Sequence, residues 1–172
     1  RADQLVHEGQ TLCLFVPEVR NVQPQDWNLP LTVCYQDESL MIVDKPAPLP
    51  SASSCRQSAP TLENAVYHHL GCPEEFVYRP VNRLDKGTSG LMLVALNAHA
   101  QHLAQQALHT DDFIREYLAV VEGCPPQLQG VIDLPMGKVD SASIRREVRA
   151  DGKPARTFYR VLKAGERRSL VR

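Results

Sequence analysis

Apolar residues along this chain fall mostly into short, alternating runs, and few segments keep a helical period. The stretches LTVCYQD and SLMIVDK flank Asp37-Glu38-Ser39, the pattern of two strands joined by a tight turn. The segment Lys45 to Pro60, KPAPLPSASSCRQSAP, is rich in proline and serine and predicts a loop too long to be a simple connection. Thr61 then caps a predicted helix, TLENAVYHHL, with Asn64 replacing the usual Glu of a capping box. Asn97 caps a second, AHAQHLAQQALHT. Strand-like runs follow or intervene at TLCLFVPE, LMLVAL, REYLAVVEG, GVIDLP, SIRREVRA, ARTFYRVLK and RSLVR. Many strands and about two helices, segregated rather than alternating, predict an α+β fold with a central, mostly antiparallel or mixed sheet, flanking helices and long loops. No internal repeat is visible.

Composition narrows the function classes. The 172 residues are 43% hydrophobic and 23% charged, enough apolar material for a buried core. No apolar run is long enough for a spanning helix, and RADQLVHEGQ has no signal-peptide character. These features predict a cytoplasmic protein with no membrane partner. The five cysteines are dispersed without a CxxC pair, which argues against a zinc ribbon or a disulfide framework and predicts reduced, mostly buried thiols. His99 and His102 lie on the second predicted helix with no ligand to complete a set, so no metal site is expected.

Charge is uneven along the chain. Residues 1–77 hold 4 basic and 10 acidic side chains, whereas residues 138–172 hold 11 basic and 4 acidic. Arginine outnumbers lysine 14 to 5, and its planar fork suits phosphate. A concentrated basic segment on a nearly neutral chain suggests a polyanion bound by one face; a solvated charged sheet face explains it equally well.

The densest chemical signal is Arg83-Leu84-Asp85-Lys86-Gly87-Thr88-Ser89-Gly90, followed by an apolar strand. An acid stands between two cations in a tight turn, where glycines permit unusual backbone angles. Such an aspartate can serve as nucleophile or base, and the same residue types also make ordinary turns.

RPVNRLDKGTSGLMLVA resembles, almost position by position, the central motif of the RluA-type pseudouridine synthases, which isomerise uridine in ribosomal or transfer RNA. DESLMIVDKPAPLP resembles the family's opening hairpin, FIREYLAVVEG its second signature, and DGKPARTFYRVL a later one. The resemblance spans residues 31–172. It implies that Asp85 is the catalytic aspartate. It implies that Arg83 lies near that carboxylate or a phosphate, and that Tyr117 packs against the target uracil. It implies an isomerase with RNA as its partner, no cofactor and no obligatory protein partner.

Two departures accompany the resemblance. Asn82 stands where the family commonly has His, which argues against a general acid at that position. The family's further signature, with a basic residue near the aspartate, has no counterpart before Arg172. On this reading residues 31–172 are a catalytic domain without its C-terminal end, which should be inactive by itself. Residues 21–30 read as a linker that Trp27 could pin to a neighbouring surface. Residues 1–20 resemble the last strands of a small RNA-binding module. Two other readings stay open. One is a non-catalytic RNA-binding protein with the same fold. The other is a carboxylate-pair glycosidase, for which Asp44 is the one evident second acid.

Overall fold

The computed structural model describes residues 5, 7–11, 24–53, 59–108, 110, 113–140 and 145–172. The run TLCLFVPE lies outside them apart from Thr11, as do Cys13, Cys55 and part of the Pro-rich loop. The chain divides into two compact units, Arg1–Phe113 and Ile114–Arg172.

In the first unit, strands β1 (Thr32–Gln36) and β2 (Leu40–Lys45) form the expected antiparallel hairpin. The turn is built by Asp37, whose Oδ1 accepts from the Ser39 and Leu40 N–H groups, both at 2.7 Å. The Tyr35 hydroxyl donates to the other carboxylate oxygen at 2.7 Å. Together these bonds favour the ionised carboxylate and hold its pKa below the usual range.

Helix α1 (Leu62–His69) starts at Thr61 with the complete capping box read from sequence. The Thr61 hydroxyl accepts from the Asn64 N–H, and the Asn64 side chain accepts from the Thr61 N–H. After α1 come β3 (Arg79–Pro80), β4 (Gly90–Ala95) and α2 (Ala98–Ala107). The side chain of Asn97 caps α2 by accepting from Ala100 N–H at 2.8 Å. The sheet order is β1-β2-β4-β3, antiparallel throughout.

Alternation sorts the sheet's side chains onto two faces. Met41 and Val43 on β2, with Met92 and Val94 on β4, pack with Leu62, Val66, Tyr67, Phe76 and Leu84. Leu40 and Leu93 instead join Val81, Ala95 and Ala100 in a second cluster, which also holds Ala104 and Leu108. One helix thus contributes to each cluster.

The second unit contains β5 (Ala119–Glu122), β6 (Gln129–Asp133), β7 (Met136–Lys138), β8 (Arg146–Val148), β9 (Arg156–Lys163) and β10 (Arg168–Val171). Its four-stranded sheet has the order β5-β10-β9-β6, and β7 pairs with β8 as a separate ribbon. Gly123 ends β5 at φ 67°, in the left-handed region that glycine tolerates.

The α+β class holds, and the described strands correct its detail. They form two four-stranded sheets and a ribbon rather than one central sheet, and every pairing is antiparallel, the first of the two expected arrangements. β4, which begins at Gly90, and β5, which follows Tyr117, fall in different sheets. Sequence shows strand propensity, whereas the choice of partner is made by nonlocal hydrogen bonds. The cysteines also differ from expectation: Cys34 and Cys124 are exposed and Cys72 is half-buried, all as free thiols. Cys34 lies exposed on the β1 edge strand, at the residue skipped where the β1–β2 register shifts between Val33 and Tyr35.

Candidate active site

The site is assembled by the turn between β3 and β4, which carries Arg83, Asp85 and Lys86. Leu84 is the anchor: its side chain is buried in the first core cluster, so its neighbours Arg83 and Asp85 are left exposed. The Thr88 N–H donates to the Asp85 carbonyl at 3.0 Å and closes the turn. Gly90 then enters β4 at φ 127°, a backbone angle that L side chains rarely adopt.

The Pro-rich loop braces this turn on both sides of Asp85. Ser51, itself buried, donates its hydroxyl proton to the Leu84 carbonyl and accepts from the Leu84 N–H at 3.2 Å. The Leu49 N–H donates to the Lys86 carbonyl at 3.1 Å. Residues 84 and 86 are therefore tied to residues 51 and 49, and Asp85 stands between the two ties. Removing the hydroxyl strands two buried backbone groups of Leu84. Ser51→Ala is expected to cost about 1–3 kcal/mol of stability, measured by urea unfolding.

Lys45 lies beneath this arrangement. It continues the inward alternation Met41–Val43–Lys45 and is 0% exposed. Its ammonium donates to the Leu49 carbonyl at 2.7 Å and the Pro46 carbonyl at 3.1 Å. Burial lowers its pKa, and the negative charge of Asp85 raises it again. A buried cation thus fastens the start of the loop and faces the charge of Asp85. Sequence reading passed over Lys45 as the first residue of a loop. The available signal was its place as the third member of an every-other-residue series on the buried face.

Arg83 lies on the same turn. It is exposed and forms no ion pair with Asp85; its charge is felt by the buried Tyr78 hydroxyl, whose pKa it lowers against a larger rise from burial. The charge of Asp85 is felt by Lys45. Arg83→Ala is therefore expected to leave the melting temperature within about 2 °C of wild type, as befits an exposed side chain. Its guanidinium is free to meet a phosphate.

Asn82 has a local task. Its Oδ1 accepts from the Leu93 N–H at 2.8 Å and its Nδ2 donates to the Leu91 carbonyl at 3.3 Å. The side chain imitates a strand partner along β4. Asn82→Ala is expected to destabilise the protein by about 1–2 kcal/mol in chemical denaturation.

Tyr117 is 51% exposed and lies two residues before β5, in the second unit. Near it, Glu116 pairs with Arg172 at 3.6 Å. The basic residues of this unit are partly committed. Arg156 bonds Asp133, and Arg149 bonds Asp151 and lies near Glu147. Among the described residues Arg146, Arg160 and Arg168 are exposed and make no ion pair.

The family described as RNA pseudouridylate synthase matches residues 39–172, a span containing Lys45, Ser51, Arg83, Asp85 and Tyr117. An uncharacterised RNA pseudouridine synthase of Aquifex aeolicus is 35% identical over 96% of this chain and 54% of its own length. The ribosomal large subunit pseudouridine synthase D of Nitrosomonas europaea is 35% identical over 92% of this chain and 46% of its own. The chain spans about half the length of these curated relatives. Among solved structures, human RNA pseudouridylate synthase domain containing 4 shares the fold, with a TM-score of 0.63 and 22% identity. That match covers 81% of this chain and 57% of the other. The chain belongs to the RNA pseudouridylate synthase family, in its RluA-type branch. No helix is long and apolar enough to cross a membrane among the described residues.

Proposed function

We propose that this protein is an RNA pseudouridine synthase that isomerises uridine in ribosomal or transfer RNA, with Asp85 as its catalytic residue. The observation that carries the reading is the setting of Asp85. An exposed carboxylate stands on a turn tied at both neighbouring residues, within charge reach of a fully buried lysine, inside the span that matches the family.

The chemistry needs no redox change and no added group. The N1–C1′ bond of uridine breaks, the uracil turns while held, and C5 joins C1′; the C5 proton leaves and N1 ends protonated. Asp85 starts the sequence by attack on the ribose or by assisting proton loss from it. Both routes need a carboxylate held in place, which the Leu49 and Ser51 ties supply. The target must leave its stack first, at a cost of a few kcal/mol. Arg83 is suited to a backbone phosphate near the flipped nucleotide, and Tyr117 to stacking on the uracil. Arg146, Arg160 and Arg168 are available to the surrounding phosphates. The pseudouridine synthase domain on this reading is residues 31–172, acting in the cytoplasm without a cofactor.

The relatives named for the ribosomal large subunit favour ribosomal RNA as the first substrate to try. The glycosidase reading loses its second acid: Asp44 alternates to the face of β2 opposite Lys45, whose charge meets Asp85. Pseudouridines are mapped in ribosomal and transfer RNA from cells with and without the gene. The expected result is loss of one site or a small set of sites. Identical maps would contradict the reading.

A further inference from the structure

A second cluster of chemically capable side chains lies in the first unit, where the segment before β1 meets the end of α1. The Asn64 side chain, on the first turn of α1, donates to the Gln25 carbonyl at 2.8 Å and ties this segment to the helix. The next residue, Asp26, meets His68 with Oδ1 and Nδ1 2.6 Å apart. Cys72 joins them two residues beyond the helix cap. One ligand atom each from Asp26, His68 and Cys72 lies within 4.8 Å of the other two.

The backbone at Cys72 is unusual for its residue type. Gly71 has φ 79°, and Cys72 follows at φ 54° as the one described non-glycine residue in the left-handed region. A cysteine there costs of order 1 kcal/mol against the glycine or asparagine that normally ends a helix this way. The turn is held by Gly71 N–H to the His68 carbonyl at 2.9 Å and Cys72 N–H to the Tyr67 carbonyl at 3.0 Å. The same turn that ends α1 brings the thiol to the Asp26–His68 pair.

From this geometry we infer that Asp26, His68 and Cys72 bind a divalent zinc ion. Carboxylate oxygen, imidazole nitrogen and thiolate sulfur together suit zinc better than magnesium or calcium, which take oxygen alone. Bonds of about 2.0–2.3 Å to a tetrahedral centre place ligand atoms roughly 3.5 Å apart, so small side-chain movements bring the three atoms onto the ion, with Asp26 Oδ1 and His68 Nδ1 moving apart from 2.6 Å. The Asp26 and His68 side chains are 56% and 37% exposed, which leaves the fourth position to water. Binding expels the thiol proton to solvent. The bound cation then neutralises one carboxylate and one thiolate, while His68 coordinates as neutral imidazole. The ion staples the segment before the hairpin to α1, independently of any action on RNA. Residue spacing concealed the set, because Asp26 and His68 are 42 positions apart.

The test uses the purified protein, freed of metal with a chelator and titrated with zinc and, separately, with cobalt(II). One equivalent of zinc is expected to compete with a chromophoric chelator. The cobalt form is expected to show a thiolate charge-transfer band and tetrahedral ligand-field bands. Cys72→Ser is expected to abolish the charge-transfer band and to weaken zinc at least tenfold. His68→Gln and Asp26→Asn are also expected to weaken it at least tenfold, whereas Cys34→Ser and Cys124→Ser leave it unchanged. Asp26→Asn removes no apolar contact, and circular dichroism of each metal-free variant confirms that it is folded. No stoichiometric binding to the wild type, or full binding by folded Cys72→Ser and Asp26→Asn, would overturn the assignment.

Discussion

Asp85→Asn is expected to reduce pseudouridine formation by at least about a thousandfold, the scale on which loss of a covalent or acid–base catalyst falls. The substitution removes charge and nearly conserves shape. The side chain is exposed, so no buried contact is lost. The turn itself is held by backbone groups of residues 84, 85, 86 and 88, none of which involves the Asp85 carboxylate. The melting temperature should stay within about 2 °C of wild type and RNA affinity within about threefold. Single-turnover assays and filter binding on the same preparation separate the two quantities. Residual turnover within tenfold of wild type would exclude Asp85 from the chemistry.

Lys45 should behave oppositely, with large effects on both folding and turnover. Lys45→Ala leaves a cavity and takes the donor from the Leu49 and Pro46 carbonyls, at an expected cost of about 3–5 kcal/mol in urea unfolding. Lys45→Met is the more informative change, because it keeps the length of the stem and removes only the ammonium. Its expected cost is about 1–3 kcal/mol. With the loop start unfastened and the charge facing Asp85 lost, kcat should fall about tenfold to a hundredfold while RNA affinity holds. A Lys45→Met enzyme with wild-type kcat would show that the lysine is structural filler and that Asp85 acts without it.

What could be read from sequence was mostly what the chain settles locally. The Asp37 turn, the Thr61–Asn64 box and the Asn97 cap each depend on residues a few positions apart, and each formed as expected. Strand existence was legible from composition and alternation at REYLAVVEG and ARTFYRVLK, whereas β3 and β7 were not. Two or three residues carry no period, and those strands exist because a distant partner pairs with them. The RLD turn was legible as a residue pattern, but its bracing was not. The Ser51 ties to Leu84 span 33 positions, and nothing near Ser51 announces them. Arg83 is a related case. Two residues from Asp85 looks close along the chain, yet burial of Leu84 between them leaves both side chains in solvent, and the charge of Asp85 is felt by Lys45, 40 positions upstream. Asn82 looked like a lost proton donor and is instead a side chain used as strand backbone.

The central claim is that this protein isomerises uridine within RNA and does not merely hold RNA or excise a base. The most direct measurement is nucleoside analysis of a ribosomal RNA transcript incubated with the purified protein carrying its native continuation beyond Arg172, with uridine labelled by tritium at C5. Moving the glycosidic bond to C5 must release that hydrogen to water. The expected result is tritium release equal to the pseudouridine formed, no free uracil and an intact strand, with neither tritium release nor pseudouridine above about a thousandth of that level for Asp85→Asn. Free uracil with an abasic site, or RNA that binds tightly while its label stays in place, would contradict it.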